Sequence, residues 1–194
     1  MRRRKTSGWF QIYARAIIVG YYSVMGLFGR KSQTRPVSDT ITVRPATEQD
    51  SATIVRLAHG LSLTDGGRAS RLTEESYRRD GFGPEPAFRV MLAEVDGTAA
   101  GYALYFSGYD TDRASRGVYL ADLFVDVQFR RYGVGRALMK AVARACSDLG
   151  GEWMFWSVLK RNRAARKFYR TLAPELHDVV LCAALGDSFN RLTR

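Results

Sequence analysis

Tyr119–Val125, YLADLFV, passes through the turn DVQFRRYGVG (126–135) into RALMKAVARACSDL (136–149), and this stretch decides the fold. The first seven residues are apolar but for Asp122, as in a buried strand. Val134, Ala137, Leu138, Ala141, Val142, Ala145, Cys146 and Leu149 then recur at the spacing of one helical face. A strand, a basic glycine-containing turn and a long amphipathic helix therefore succeed one another directly. The first N–H groups of such a helix have no partner within it, and they point into the turn together with the positive end of the helix dipole. That geometry binds phosphate. Gly133 and Gly135 let a ligand approach the backbone, and Arg130, Arg131 and Arg136 supply charge that pairs with phosphate oxygens.

Two other phosphate loops fail on spacing. No G-x-x-x-x-G-K-[ST] occurs, which argues against a nucleotide triphosphatase. The G-x-G-x-x-G fingerprint lacks its third glycine and the acidic residue that would contact a ribose.

Working outward, Ile41–Arg44 reads as a strand, Thr47–Asp50 opens a helix reaching Leu61, and Asp65-Gly66-Gly67 is a loop. Thr73–Arg79 is a short helix closed by Gly81 and Gly83. Phe88–Glu94 and Ala99–Phe106 are strands joined at the hairpin turn Asp96-Gly97, and Gly108–Arg116 reads as a polar loop. Downstream, Glu152–Val158 is a strand, a helix begins after Asn162, and Val179–Leu185 with Phe189–Leu192 form a closing strand pair. This order predicts an α/β fold with a mixed, mostly antiparallel central sheet flanked by helices.

With 194 residues, 46% of them apolar and 12% aromatic, the chain can bury one good core. One folded domain, residues 41–194, is expected after an extension and linker over residues 1–40. Cys146 and Cys182 lack metal-ligand spacing and read as reduced core thiols of a cytoplasmic protein; no metal is expected. The net charge is +11, but the first forty residues hold eight Lys/Arg against the single acid Asp39. The remaining 22 basic and 18 acidic residues make the folded part only mildly basic, which suits an anionic small molecule. A nucleic-acid-binding reading rests on net charge alone and lacks aromatic–basic interleaving, so no nucleic acid is expected.

In the extension, Arg2-Arg3-Arg4-Lys5 precedes the apolar, aromatic run Trp9–Gly29. Arg15 makes a spanning helix costly, and no small-residue cleavage site is evident. An arginine-rich, acid-poor start also resembles an organelle transit peptide. Contact of residues 1–30 with an anionic membrane surface, peripheral to the cytoplasm, and no role at all are equal alternatives.

The turn Arg130–Gly135, together with Asn162, Ala164-Ala165 and Phe168-Tyr169 after the next strand, resembles the GNAT superfamily of N-acetyltransferases, which carries R/Q-x-x-G-x-G/A and N-x-x-A-x-x-F-Y at these places. Leu72-Thr73-Glu74 through Asp80-Gly81-Phe82-Gly83, the strand reaching Leu92-Ala93-Glu94, and Tyr119–Val125 are similar to its diamine (spermidine/spermine-type) branch. The resemblance covers Ile41 to Leu192. It implies acetyl-CoA as cosubstrate, with its diphosphate on Arg130, Arg131, Tyr132, Gly133, Val134, Gly135 and Arg136. It also implies that the pantetheine arm lies along Asp122–Val125, touching Phe124 and Val125, with Asn162 and Phe168 nearby, and that the enzyme is a homodimer.

Acyl transfer to an amine needs a donor for the thioester oxygen, an acceptor for the amine proton and a proton for the leaving thiolate. The resemblance gives the first role to the Val125 N–H and the last to Tyr169. Packing alone also explains Tyr169, because Ala165, Phe168, Tyr169 and Leu172 share a helical face. Asn162 caps its helix or also touches the cofactor arm. Lys160, Arg161, Arg163, Arg166, Lys167 and Arg170 read for the most part as a solvated basic face, the alternative being that they help hold the CoA phosphates. Asp122 stands where the diamine branch carries an acidic pair, with Ala121 in place of the partner. It takes the amine proton through water, attracts the ammonium, or merely ends its strand facing solvent. His59 and His177 have no supporting motif.

The sequence thus points to acetyl transfer onto a primary amine of a small molecule, diamine/polyamine-like or amino-acid-like. The loop Leu63–Ser70 offers only Asp65, beside Arg68 and near Arg71, and Asp110 and Asp112 depend on loop geometry; so few acids argue against polyamines. The alternative is a CoA-binding sensor or interaction protein at a membrane surface, without transferase activity.

Overall fold

Five strands, β1 (Ile41–Pro45), β2 (Arg89–Val95), β3 (Thr98–Asp110), β4 (Ser115–Val125) and β5 (Gly151–Trp156), lie side by side in that order. The computed structural model describes residues 40–64, 67 and 69–194. The extension through Asp39 and the loop residues Asp65, Gly66 and Arg68, with the expectations attached to them, lie outside the described residues. Helices α1 (Ser51–Thr64) and α2 (Glu74–Phe82) precede β2; α3 (Val134–Asp148) joins β4 to β5; α4 (Arg163–Tyr169) and α5 (Asp187–Leu192) come after β5. Strands β1 to β4 pair antiparallel, and β5 joins β4 in parallel, which requires the α3 crossover. The mixed, mostly antiparallel α/β sheet is as the sequence predicts.

The sheet buries both faces. On one, α3 sets Val134, Leu138, Val142 and Cys146 against Met91, Ala93, Leu120, Leu123 and Val125. On the other, Ile54, Leu57, Leu61 and Tyr77 of α1 and α2 cover Val90, Leu92, Tyr102 and Phe124. Each fully buried aliphatic or aromatic side chain contributes about 1.5–3 kcal/mol before conformational entropy is set against it. Arg44 on β1 fastens the rim, donating to both carboxylate oxygens of Asp50 at 2.8 and 2.9 Å and to Glu94 at 3.1 Å.

One irregularity interrupts the β3–β4 ladder. Leu104 faces Asp122 and Tyr105 faces Leu120, so Ala121 is an extra residue in β4, a β-bulge. Side chains normally alternate across a strand. The bulge shifts that phase, so that Leu120 and Leu123 both enter the core under α3. Asp122 and Tyr119, opposite Leu104 and Phe106, both turn to the α1 side.

Three expectations are corrected. Gly108–Arg116 is no polar loop: β3 and β4 pair out to Asp110 and Ser115, leaving only the turn Thr111–Ala114. Asp110 closes that turn by accepting from the N–H groups of Asp112 and Arg113 at 2.9 and 3.1 Å. The closing strand pair does not form. Val179–Leu185 carries no strand, and Phe189–Leu192 lies within α5. Gly186, at φ 54°, breaks the run, and the Ser188 hydroxyl bonds both the N–H and the C=O of Leu185, so a helix starts where a second strand would begin. Cys182 is accordingly exposed rather than a core thiol, while Cys146 is buried as expected.

Candidate active site

Strand β5 pairs with β4 only from Arg116 to Leu120, and β4 continues to Val125. The edge of β4 from Ala121 to Val125 therefore has no strand beside it among the described residues. The Asp126 N–H donates to Ala100 of the β2–β3 side at 2.9 Å. By alternation, the N–H and C=O of Val125 point the other way, toward the opening. Arg130 agrees, because its Nε donates to the Val125 carbonyl from that side at 3.1 Å. An extended ligand can add itself here as a strand, with the Val125 N–H as a donor.

The turn after β4 is short and tightly held. Asp126 accepts from Gln128 N–H and bridges to Arg56 at 3.7 Å. Arg131 and Gly133 both have left-handed backbones, at φ 74° and 91°. Gly133 is the N-cap of α3 and gives it no side-chain cap, and the first turn holds no acidic residue. The N–H groups of Val134, Gly135 and Arg136 thus lack intrahelical partners and face the turn. Val134 itself buries its side chain in the core, so it offers backbone only.

The three arginines of the turn differ. Arg130 is half-buried, and desolvation pulls its guanidinium below the usual range. It ties the turn to the end of β4 instead of standing in solvent. Arg136 donates to the Thr171 hydroxyl at 2.8 Å, linking α3 to the end of α4. Arg131 and Tyr132 are exposed beside the turn.

At the other end of the opening, α4 carries Tyr169. Asn162 caps this helix through Oδ1, accepting from Ala165 N–H at 3.0 Å, so that oxygen already has a backbone partner. Tyr169 is 2% exposed and packs against Trp156 and Phe168 with ring centroids 5.4 and 5.3 Å away. Its hydroxyl is buried without a hydrogen-bond partner among the described residues. Burial, and secondarily the charge of Asp122, push its pKa far above that of an ordinary phenol, so it keeps its proton. An unsatisfied buried hydroxyl is costly and calls for a function.

Asp122 lies near Tyr169 and does not merely end its strand. Tyr102, wholly buried on β3, donates to Asp122 Oδ2 at 2.9 Å. Tyr119 donates to Ser157, just past β5, at 2.9 Å. Phe124 turns its ring into the opposite core against Tyr102, leaving its backbone to the opening. Asp122, Phe124 and Val125 thus lie on the part of β4 beyond its pairing with β5, Arg130 to Arg136 in the turn and first residues of α3, and Phe168 and Tyr169 on α4. Tyr102, Tyr119 and Ser157 do not stand out in the sequence. Strand alternation puts Tyr102 on a face, but only the register sets it opposite Phe124.

Residues outside this set have other roles. Arg166 and Arg170 both pair with Glu175, at 2.7 and 3.2 Å, and pull its carboxyl down to about 2. His59 lies with Nε2 2.9 Å from the Ser70 carbonyl, and His177 is exposed. No group of three metal-ligating side chains occurs among the described residues.

Comparison with known proteins supplies the family. Residues 59–173 match the model of the acetyltransferase (GNAT) family. The chain is 31% identical over 147 residues to thialysine N-epsilon-acetyltransferase of Bos taurus, covering 70% of this chain and 84% of that protein. It is 31% identical over 100 residues to an L-ornithine N5-acetyltransferase of Arabidopsis thaliana, covering 51% of this chain and 44% of that one. In fold it is similar to an integron cassette protein of V. cholerae, with a TM-score of 0.68 at 21% identity over 79% of this chain and 98% of the other. The chain belongs to the GNAT family and is an N-acetyltransferase.

Proposed function

We propose that this enzyme moves the acetyl group of acetyl-CoA to a primary amine on the side chain of a small diamine-like or amino-acid-like molecule. The buried Tyr169 hydroxyl carries this reading. It is protonated, without a hydrogen-bond partner among the described residues and close to Asp122, where a leaving sulfur would need a proton. The opening fits the cosubstrate, since an open strand edge leads from that hydroxyl to an uncapped helix start free of acids. Acetyl-CoA supplies the activated acyl group when bound.

The chain's own residues do the rest. The N–H groups at the start of α3 hold the diphosphate, with Arg131 adding charge from the exposed side. The Val125 N–H faces the opening as a preorganised donor for a carbonyl oxygen that gains charge. Asp122, held by the Tyr102 hydroxyl, attracts the ammonium and accepts its proton. Tyr169 gives its proton to the departing thiolate. The names of the relatives favour a side-chain nitrogen of an amino acid over a polyamine.

Two measurements test this. Saturating acetyl-CoA at about 100 Kd should stabilise the protein by about 2.7 kcal/mol in thermal unfolding, and amines in a panel should release free CoA thiol. Absence of both refutes the reading. Arg130→Met should lower kcat about tenfold or more with little change in KM for acetyl-CoA, because the side chain fixes the end of β4. A rise in KM with kcat intact would make Arg130 a phosphate ligand instead.

A further inference from the structure

Beyond Asp122 on the same face of the sheet lies a groove of about 590 Å³, with Phe106 and Tyr119 as its wall and Leu181, Ala184, Leu185 and Phe189 among the residues closing it. We propose that this groove holds the stem of the acceptor amine and selects stems without charge, whether alkyl, thioether or aryl. The inference rests on the proposed transferase function and narrows its substrate class.

The groove lies on the same face of the β3–β4 hairpin as Asp122. Phe106 is the register partner of Tyr119, as Leu104 is of Asp122, and the bulge at Ala121 sends both β4 side chains to one face. Tyr119 also reaches Ser157, where β5 ends and the opening begins. An amine whose nitrogen lies at Asp122 therefore has its stem along this wall. The wall is well built: the Phe106 and Tyr119 rings stack at 5.3 Å and 25°. Trp153, on the neighbouring strand, lies flat on Gly117, where an added Cβ would come within 2.0 Å of the indole.

No carboxylate, ammonium or guanidinium lines the groove among the described residues. Toward the hairpin turn, the nearest acid, Asp110, is held by Arg113 and by its own turn N–H groups. A secondary ammonium in the stem would lose its hydration here without gaining a partner. A methylene in its place gains about fourfold in affinity for its burial. Charge is tolerated at two points only, at Asp122 and beyond the open mouth.

A matched pair of probes decides the matter. Heptylamine and N-propyl-1,3-diaminopropane have the same chain length and differ by one methylene exchanged for a secondary ammonium. Calorimetric titration of the full chain saturated with CoA should show heptylamine binding at least about tenfold tighter, and kcat/KM should favour it by a similar factor. Leu181→Glu, a change at an exposed position, should shrink or reverse that ratio at an unaltered melting temperature. Equal or tighter binding of the diamine, binding of neither, or an unchanged ratio in Leu181→Glu overturns the proposal. If heptylamine binds preferentially but no amine is acetylated, the groove stands and the transferase reading falls.

Discussion

Replacing Tyr169 with Phe lowers turnover by about 10²- to 10⁴-fold while acetyl-CoA binds nearly as tightly as before. The expectation rests on what the hydroxyl does not do. It makes no hydrogen bond among the described residues, so removing it breaks no structural contact. Deleting an unsatisfied buried polar atom leaves stability unchanged or raises it slightly. The ring itself, packed on Trp156 and Phe168, is retained in Phe. Lost turnover in this variant therefore reports lost chemistry, provided the melting temperature has not fallen. Since burial and Asp122 keep the phenol protonated across the neutral range, the role proposed for Tyr169 is that of a donor and not of a base. Turnover unchanged in Tyr169→Phe would return Tyr169 to the core.

Gly133→Val with Gly135→Val weakens acetyl-CoA binding by about 100-fold, or roughly 2.7 kcal/mol. At φ 91° a β-branched residue is badly strained, although the space around Gly133 is open, with Ile41 Cδ1 3.8 Å from an added Cβ. The strain is relieved by turning the peptide, which moves the N–H groups that face the diphosphate. Gly135 lies in the first turn of α3, where a branched side chain would stand between ligand and backbone. Equilibrium titration with acetyl-CoA, with Gly133→Ala as a milder companion, reads both effects; undiminished affinity in the double variant would remove this turn from the cofactor site.

Local pattern makes much of this molecule legible in its sequence. The β4–turn–α3 unit, the Asp96-Gly97 hairpin and the Asn162 cap are each written in a few adjacent residues, and each is present. Tyr169 and Asp122 stand out as candidates through the family resemblance, since the spacing around Tyr169 fits a core aromatic equally well. Pairing over distance is less legible. The apolar run Val179–Leu185 reads as a strand, yet a strand needs a neighbour, and the turn fixed by Ser188 and Gly186 decides otherwise. Arg130 reads as one more phosphate-seeking cation, because nothing in a sequence says that its side chain folds back onto Val125. Tyr102 is invisible as a partner of Asp122 for the same reason: β3–β4 register is set by a bulge that residue types alone do not announce.

That bulge also limits how such an enzyme can change. Ala121 works as a phase shifter, and a strand without it has only two settings, odd and even. Straightening the bulge with Ala121 kept in the ladder would put Tyr119 and Asp122 on opposite sides of the sheet, with one of them driven into the packed layer beneath α3, whereas removing Ala121 along with the bulge leaves them on one side. Lineages can therefore exchange the side chains along this strand freely, but they can lose the bulge only together with its extra residue if the carboxylate is to stay beside its aromatic wall.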